Sequence, residues 1–331
     1  MWEQQTCIDF KEGKADDYLV VTDDEGYSSE VGKFGGYQPI SFGDTCEEET
    51  GRAAHEIGHA LGLYHTQGRY DRDTYITVMP ERAVKHHRDE YKMIPESEST
   101  LYQAKYDYGS IMHYGVADYD PVMIPADKNY RTTMGSQIVP FTDLWTINEH
   151  YGCNGILRRF FAFLSRYIEK CPKEDSEKCG NGGFAHPRHC DRCICPSGYG
   201  GQYCKERPGH CGEEKNATNE WQPLQISIDN TNKTEYYANC TFWIRSPDNT
   251  VIEVKIMEDT VYSGFTEPGC TKAGVEIKTN KNQTLTGYRF CSPDDEGIKL
   301  QSHANLVPVI AYSKERFTFN VQLHYRFRYA K

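Results

Sequence analysis

Eleven residues constrain this chain more than any other stretch: His55-Glu56-Ile57-Gly58-His59-Ala60-Leu61-Gly62-Leu63-Tyr64-His65. In a helix, His55 and His59 stand at i and i+4 on one face, one turn apart, so both imidazoles can reach one metal ion. Gly62 predicts the stop. Glycine enters the left-handed backbone that ends a helix without steric penalty, and the chain can then turn to bring His65 in as a third nitrogen ligand. Three nitrogens leave an open coordination position, which is the arrangement of a catalytic zinc rather than a closed structural one. Glu56 follows the first ligand, where a carboxylate can take the proton of a water polarised by the metal. A lone pair of histidines at helical spacing is ordinarily surface or satisfied core. Here all five fixed positions of H-E-x-x-H-x-x-G-x-x-H are filled, and that outweighs the ordinary reading.

A second element lies downstream in Ser110-Ile111-Met112-His113-Tyr114, led into by Tyr106-Asp107-Tyr108-Gly109. On these residues together the chain resembles the metzincin metalloproteases and, within them, the astacin family. The resemblance implies a zinc-dependent endopeptidase with one Zn²⁺ per chain on His55, His59 and His65, and Glu56 as general base. It places Met112 on a tight turn as the apolar floor of the site. Tyr114 becomes a catalytic side chain, able to act as a fifth ligand and to swing toward the oxyanion. Alone, a Met or a Tyr is more often packing than chemistry.

The fold so implied is α+β. A two-lobed metzincin catalytic domain over residues 1–154 is followed by a small disulfide-rich EGF-like module and a CUB β-sandwich. There are departures from the family pattern. Tyr27 stands where the family usually has a Cys, which leaves Cys46 unpaired. Thr66 replaces the Glu that commonly receives the mature N-terminus. They feed a rival reading of another class, a catalytically inert extracellular binding or matrix protein. Retention of all three histidines, Glu56 and Tyr114 favours the enzyme.

At 331 residues the chain exceeds what one hydrophobic core organises, so two or three domains are expected. A net charge of -11 disfavours nucleic acid, whose phosphates need a basic surface. No apolar run is long enough for a transmembrane span. Of 13 Cys, most fall between Cys171 and Cys270, which points to disulfides and an oxidising compartment. Sequons at Asn216, Asn232, Asn239 and Asn282 predict glycosylation and agree with a secreted protein. Met1-Trp2-Glu3-Gln4-Gln5 has no apolar signal segment. The resemblance implies a signal, a propeptide and further mature residues upstream, so the catalytic domain is expected to lack its start. Residues 2–10 then resemble the end of a helix and the beginning of a strand.

Residues 17–22 have strand composition. The segment 29–42 resembles a family passage in which Gly35-Gly36 turns into an edge strand. Such an edge could accept extended substrate by β-augmentation, against the plainer reading of an ordinary hairpin. The run Asp71-Arg72-Asp73 is expected to tie loop to loop by ion pairs, and His86 and His87 to be exposed outside the site. Residues 141–153 read as a closing helix with Thr142 as N-cap. The resemblance pairs Cys153 at its end with Cys7. Residues 155–170 form a linker, whose apolar face with Arg158, Arg159 and Arg166 suits a helix docked on its own protein more than one lying on a membrane.

In residues 171–205, Cys193-x-Cys195 with Pro196-x-Gly198-Tyr199-x-Gly201 and Cys204 resembles an EGF-like module. That resemblance implies the bridges Cys171–Cys190, Cys179–Cys193 and Cys195–Cys204, with zinc binding by these cysteines as the rival. Residues 211–329 hold short strands separated by turn residues, as in a β-sandwich. Cys211, Cys240, Cys270 and Cys291 have the spacing of a CUB domain, which implies Cys211–Cys240 and Cys270–Cys291. Some CUB domains bind Ca²⁺ through acidic loops; no such ligand set is matched here, and calcium is left open. The partners implied are an extracellular protein or peptide substrate and, by analogy, a protein docked through the CUB-like part. Nothing in the sequence selects one substrate.

Overall fold

The computed structural model describes residues 1–24, 26–44, 47, 49–153, 171–209, 211–231, 237–257, 267–316 and 318–330. Helix α1 (Trp2–Gln5) is one turn, held by the buried indole of Trp2, which donates to the Ala54 carbonyl at 2.9 Å. The strand expected after it does not form in residues 6–10. Strands β1 (Tyr18–Thr22), β2 (Tyr27–Ser29) and β3 (Tyr37–Phe42) make a sheet of order β1-β3-β2. This corrects the edge-strand expectation. The strand after Gly35-Gly36 is β3, the central one, parallel to β1 and antiparallel to β2. At Ile40 and Ser41 it is paired on both flanks, which closes that part of the strand to augmentation.

Helix α2 (Thr50–Ala60) packs against β2 and β3. It shares a core with Trp2, Ile111, Met112, Phe141 and Ile147. Strands β4 (Ile76–Val78) and β5 (Met123–Pro125) form an antiparallel ladder over a second core of Tyr106, Tyr108, Tyr130 and Met134. Helix α3 (Phe141–His150) closes this half and buries Phe141, Leu144 and Ile147. Its N-cap is Pro140, not Thr142. Thr142 lies inside the first turn, and its hydroxyl donates to the buried carboxylate of Asp107 at 2.7 Å. Arg69 pairs with Asp71 at 2.8 Å, while Arg72 reaches across loops to the carbonyls of Gln67 and Tyr91. The loops are thus tied more by arginine to backbone than by arginine to aspartate. His86 and His87 are exposed. The bridge Cys7–Cys153 joins the beginning of this half to its end. Cys46 and residues 154–170, the expected linker among them, lie outside the described residues.

Helix α4 (Lys173–Glu177) and the hairpin β6 (Phe184–His186) and β7 (His189–Ile194) follow, crossed by Cys171–Cys190, Cys179–Cys193 and Cys195–Cys204. So small a unit buries little by itself. It gains core by inserting Phe184 and Ile194 into the cluster around Trp2 and Phe141. Arg188 donates to the carbonyls of Glu3, Thr6 and Ile8 and so clamps the N-terminal turn.

The rest is a two-sheet sandwich. Its strands are β8 (Glu214–Asn216), β9 (Gln222–Asp229), β10 (Ala238–Arg245), β11 (Thr250–Ile256), β12 (Ala273–Ile277), β13 (Tyr288–Phe290), β14 (Lys299–Gln301), β15 (Leu306–Ser313) and β16 (Thr318–Tyr329). One sheet runs β13-β12-β15-β10-β8 and the other β14-β11-β16-β9. Along β9, Leu224, Ile226 and Ile228 are buried and their neighbours exposed, the period of two that one inward face produces. Bridges Cys211–Cys240 and Cys270–Cys291 complete it. Asn216 and Asn239 are exposed; Asn282 is half-buried, its Oδ1 accepting from the Thr284 backbone and hydroxyl. Asn232 lies outside the described residues. Among the described residues no helix is long and apolar enough to cross a membrane.

Candidate metal centre

Helix α2 ends where the glycine requires. Leu61 caps it, and Gly62 takes φ 101°, a conformation a side chain would strain. The reversal brings His65 back onto the face that carries His55 and His59. Its ring nitrogen Nε2 lies 3.2 Å from Nε2 of His55 and 3.0 Å from Nε2 of His59. The opposite nitrogens are anchored. Nδ1 of His55 donates to the Ile111 carbonyl at 2.6 Å, and Nδ1 of His59 to the Leu63 carbonyl at 2.7 Å. Those bonds fix the tautomer and leave bare Nε2 lone pairs turned toward one another. Converging lone pairs repel unless a cation lies between them. Nitrogens about 2.0–2.1 Å from a tetrahedral zinc stand roughly 3.4 Å apart, so the triad fits that ion.

The imidazoles are also in the charge state a metal needs. Burial holds His55 below its usual pKa. Burial, then the charge of His55, brings His59 down to about 4. His65 is pushed down to about 2 by burial and then by its histidine neighbours. Neutral imidazole is the ligand form. Among the described residues these three are the one group of His, Cys, Asp or Glu side chains spaced to hold a metal.

Glu56 is buried and lines the same cleft as His55 and Tyr114. Burial pushes its carboxyl up to about 7. Tyr114 lays its ring 4.4 Å from that of His65, and its backbone N–H donates to Gln67. Burial, then the charges of Glu90, Tyr91 and Glu56, pushes its phenol upward, so it stays a hydrogen-bond donor. Met112 is almost fully buried under α2, where Gly58 leaves room for its sulfur.

What positions these groups is a buried polar lattice that sequence reasoning passed over. Asp143 of α3 accepts from the Ser110 hydroxyl at 2.9 Å and the Ile111 backbone at 2.9 Å. Asp107 accepts from Gly109 and Thr142. Thr66, next to the third histidine, donates to Ser110 by its hydroxyl and to the Met112 carbonyl by its backbone. The turn under the metal is thus held from the closing helix and from the segment after His65. A carboxylate between Phe141 and Leu144 was the available signal for Asp143. Glu90 was also missed. Its carboxylate lies 3.4 Å from Nδ1 of His65, the histidine that lacks a carbonyl partner there. Tyr27 lines the cleft beside Arg52, whose guanidinium lies 5.5 Å from the Tyr27 ring.

A centre of this build defines the metzincin class of zinc peptidases. Residues 1–152 match the family model Astacin, which describes a peptidase family. The chain is 40% identical over 332 residues to Zinc metalloproteinase nas-31 of Caenorhabditis elegans, covering 98% of this chain and 51% of that one. It is 33% identical over 339 residues to Zinc metalloproteinase nas-17 of the same organism, covering 97% of this chain and 71% of the relative. Among solved structures it is similar to High choriolytic enzyme 1, a hatching enzyme zinc-protease from Oryzias latipes. There the identity is 28% and the TM-score 0.42, covering 46% of this chain and 77% of that one. The chain belongs to the astacin family. It spans about half the length of nas-31.

Proposed function

We propose that this chain is a secreted zinc endopeptidase that hydrolyses peptide bonds of extracellular proteins. In this reading residues 1–154 are the peptidase domain, 155–170 a linker, 171–205 an EGF-like module and 211–329 a CUB domain. The observation that carries it is the convergence of three neutral imidazole nitrogens beside the buried Glu56. When bound on His55, His59 and His65, Zn²⁺ supplies Lewis-acid polarisation and acidifies water.

The chain's own residues do the rest. Glu56 takes the proton of the attacking water and passes it to the leaving amine. In the metal-free site burial raises its carboxyl to about 7, and bound Zn²⁺ would draw it back down. Tyr114, kept protonated, donates to the oxygen that gains charge in the transition state, and as an alternative it can ligate the resting metal. Met112 gives the site an apolar floor. Six disulfides and the exposed sequon residues Asn216 and Asn239 support an oxidising, extracellular setting.

The test is hydrolysis of a denatured protein by the chain and by Glu56→Ala in matched zinc. The expected result is a loss of roughly 10²–10⁴-fold in the variant with unchanged zinc content. Undiminished hydrolysis by the variant removes Glu56 from the role of base. No hydrolysis by either protein leaves two readings, a truncated enzyme or the extracellular binding protein, and repeating the assay with an N-terminal segment restored decides between them.

A further inference from the structure

The cleft that holds Glu56 and Tyr114 is not walled by the catalytic half alone. It encloses about 510 Å³, and its far side is formed by Glu267, Pro268, Thr271, Lys272 and Lys314 of the sandwich. The contact is close and built from backbone. A Cβ on Gly269 would lie 2.0 Å from the Gly135 carbonyl oxygen, so only glycine lets the two segments approach this way. Pro268 meets Gly115, the residue after Tyr114. Hydrogen bonds lock the same face. The Thr286 backbone and hydroxyl donate to Asp107 at 3.2 and 3.1 Å, and the Arg289 backbone donates to Thr133 at 2.9 Å. The wall is therefore fixed to the turn that carries Met112 and Tyr114.

This wall carries two lysines against one glutamate, Glu267, so its balance is positive. Lys272 precedes β12 and Lys314 follows β15, and antiparallel pairing of Ala273 with Ser313 sets both at one end of the sheet. The Lys314 backbone donates to the Lys272 carbonyl at 2.8 Å. Lys272 lies 3.8 Å from Glu267, a partly exposed pair too loose to neutralise it. Arg52 across the cleft is taken by Glu49 at 3.3 Å. Lys314 has no ion-pair partner among the described residues. Cations along a concave, protein-lined groove act more strongly than on open surface.

We infer that the sandwich is part of the substrate-binding cleft, and that Lys272 and Lys314 are specificity-determining residues that favour a polypeptide carrying a carboxylate along this wall. The inference rests on the peptidase reading above. It assigns the C-terminal sandwich a direct share in substrate selection rather than remote docking.

The experiment uses binding, which needs no turnover. Two fluorescent peptides differ only in carrying Glu or Gln at positions on either side of the central bond, within about four residues at roughly 3.3 Å each. Their affinities for the full chain bearing Glu56→Gln are read by anisotropy. They are read again with Lys272→Glu and Lys314→Glu added. The parent should bind the Glu peptide more tightly. The added substitutions should reduce that preference about tenfold, and about 0.5 M salt should erase the difference. Both lysines are partly exposed, so the variant should unfold at the parent's midpoint. An equal preference in parent and variant, or no binding of either peptide by the parent, overturns the inference. Hydrolysis of the same peptides with Glu56 intact is measured alongside. A charge preference in binding without hydrolysis would sink the peptidase reading and leave only a charge-selective peptide-binding cleft.

Discussion

In the catalytic half, three imidazoles, His59 buried and His55 and His65 half-buried, turn bare nitrogens on one another with one carboxylate, Glu90, 3.4 Å behind His65. In the sandwich, Glu276 and Arg289 are also buried, yet they pair at 3.0 Å. Glu276 further accepts from Ser197 and Gly287, and Lys278 donates to Ser197 and the Gln283 carbonyl. The second cluster balances its charge and fills its hydrogen bonds from the fold. The first is incomplete until a cation arrives. Buried groups a fold leaves uncompensated mark where it expects a ligand, while a closed network reports on how modules are held together. Asp107 belongs to both. It anchors the turn under the metal and accepts from Thr286 of the sandwich.

The largest effect that tests this contrast comes from the metal. Zinc at a thousandfold above its dissociation constant stabilises the folded form by about 4 kcal/mol. Chelation should lower the unfolding transition of the catalytic half accordingly, and leave that of the sandwich within about 0.5 kcal/mol. Calorimetry with and without a chelator reads both. Equal shifts would show that the two regions unfold as one and that the comparison is too sharp.

Next comes the balanced cluster. Arg289→Met strands Glu276 in a buried site and should cost about 3 kcal/mol, the low end for removing one partner, because Lys278 remains nearby. Replacing Glu276 and Arg289 together by Met should recover most of that loss. Urea unfolding of the single and double variants decides it. A double variant as weak as the single one would show that the pair holds the modules together beyond its charge balance.

A smaller effect is expected at Glu90. Carboxylates behind a metal-ligating histidine typically contribute ten- to a hundredfold in metal affinity. At 3.4 Å and partly exposed, Glu90→Gln should weaken zinc about tenfold, measured against a chromophoric chelator, without moving the midpoint of the metal-free protein. An unchanged affinity would reduce Glu90 to a surface acid.

How much of this was legible follows from the range of each interaction. The histidine spacing and the Gly62 stop are written within a dozen residues, where the helix period is fixed by the backbone. The resemblance, not the spacing, supplied the disulfide pairings. What was illegible spans the chain. Asp107 and Thr286 are 179 residues apart, and Asp143 and Ser110 are 33 apart. Nothing local marks such partners. The central place of β3 was hidden similarly, since a strand's composition does not say whether one flank or both will be paired. Thr142 looked like a cap because its partner Asp107, 35 residues away, was out of view.

The last effect concerns Lys278, and it measures how complete the balance in the sandwich is. Burial brings this lysine down to about 8, against the opposing charges of Glu276 and Asp107. In the unfolded chain it titrates near 10.5. Below pH 8 it is charged in both states, and its burial penalty is fully present. Between about pH 8 and 10.5 the unfolded chain binds more protons than the folded one, so stability from this group rises with pH. Buried tyrosines act in the opposite sense in that range, but Lys278→Met shares them, so they cancel in the difference. The lost bonds to Ser197 and Gln283 are a constant offset. The stability of the parent relative to Lys278→Met should therefore climb from pH 7 to pH 10, by no more than about 3 kcal/mol. Urea unfolding of both proteins at the two pH values reads it. A flat difference would mean that Glu276 and Asp107 compensate the ammonium fully, making the sandwich cluster still more closed than the contrast with the histidine triad requires.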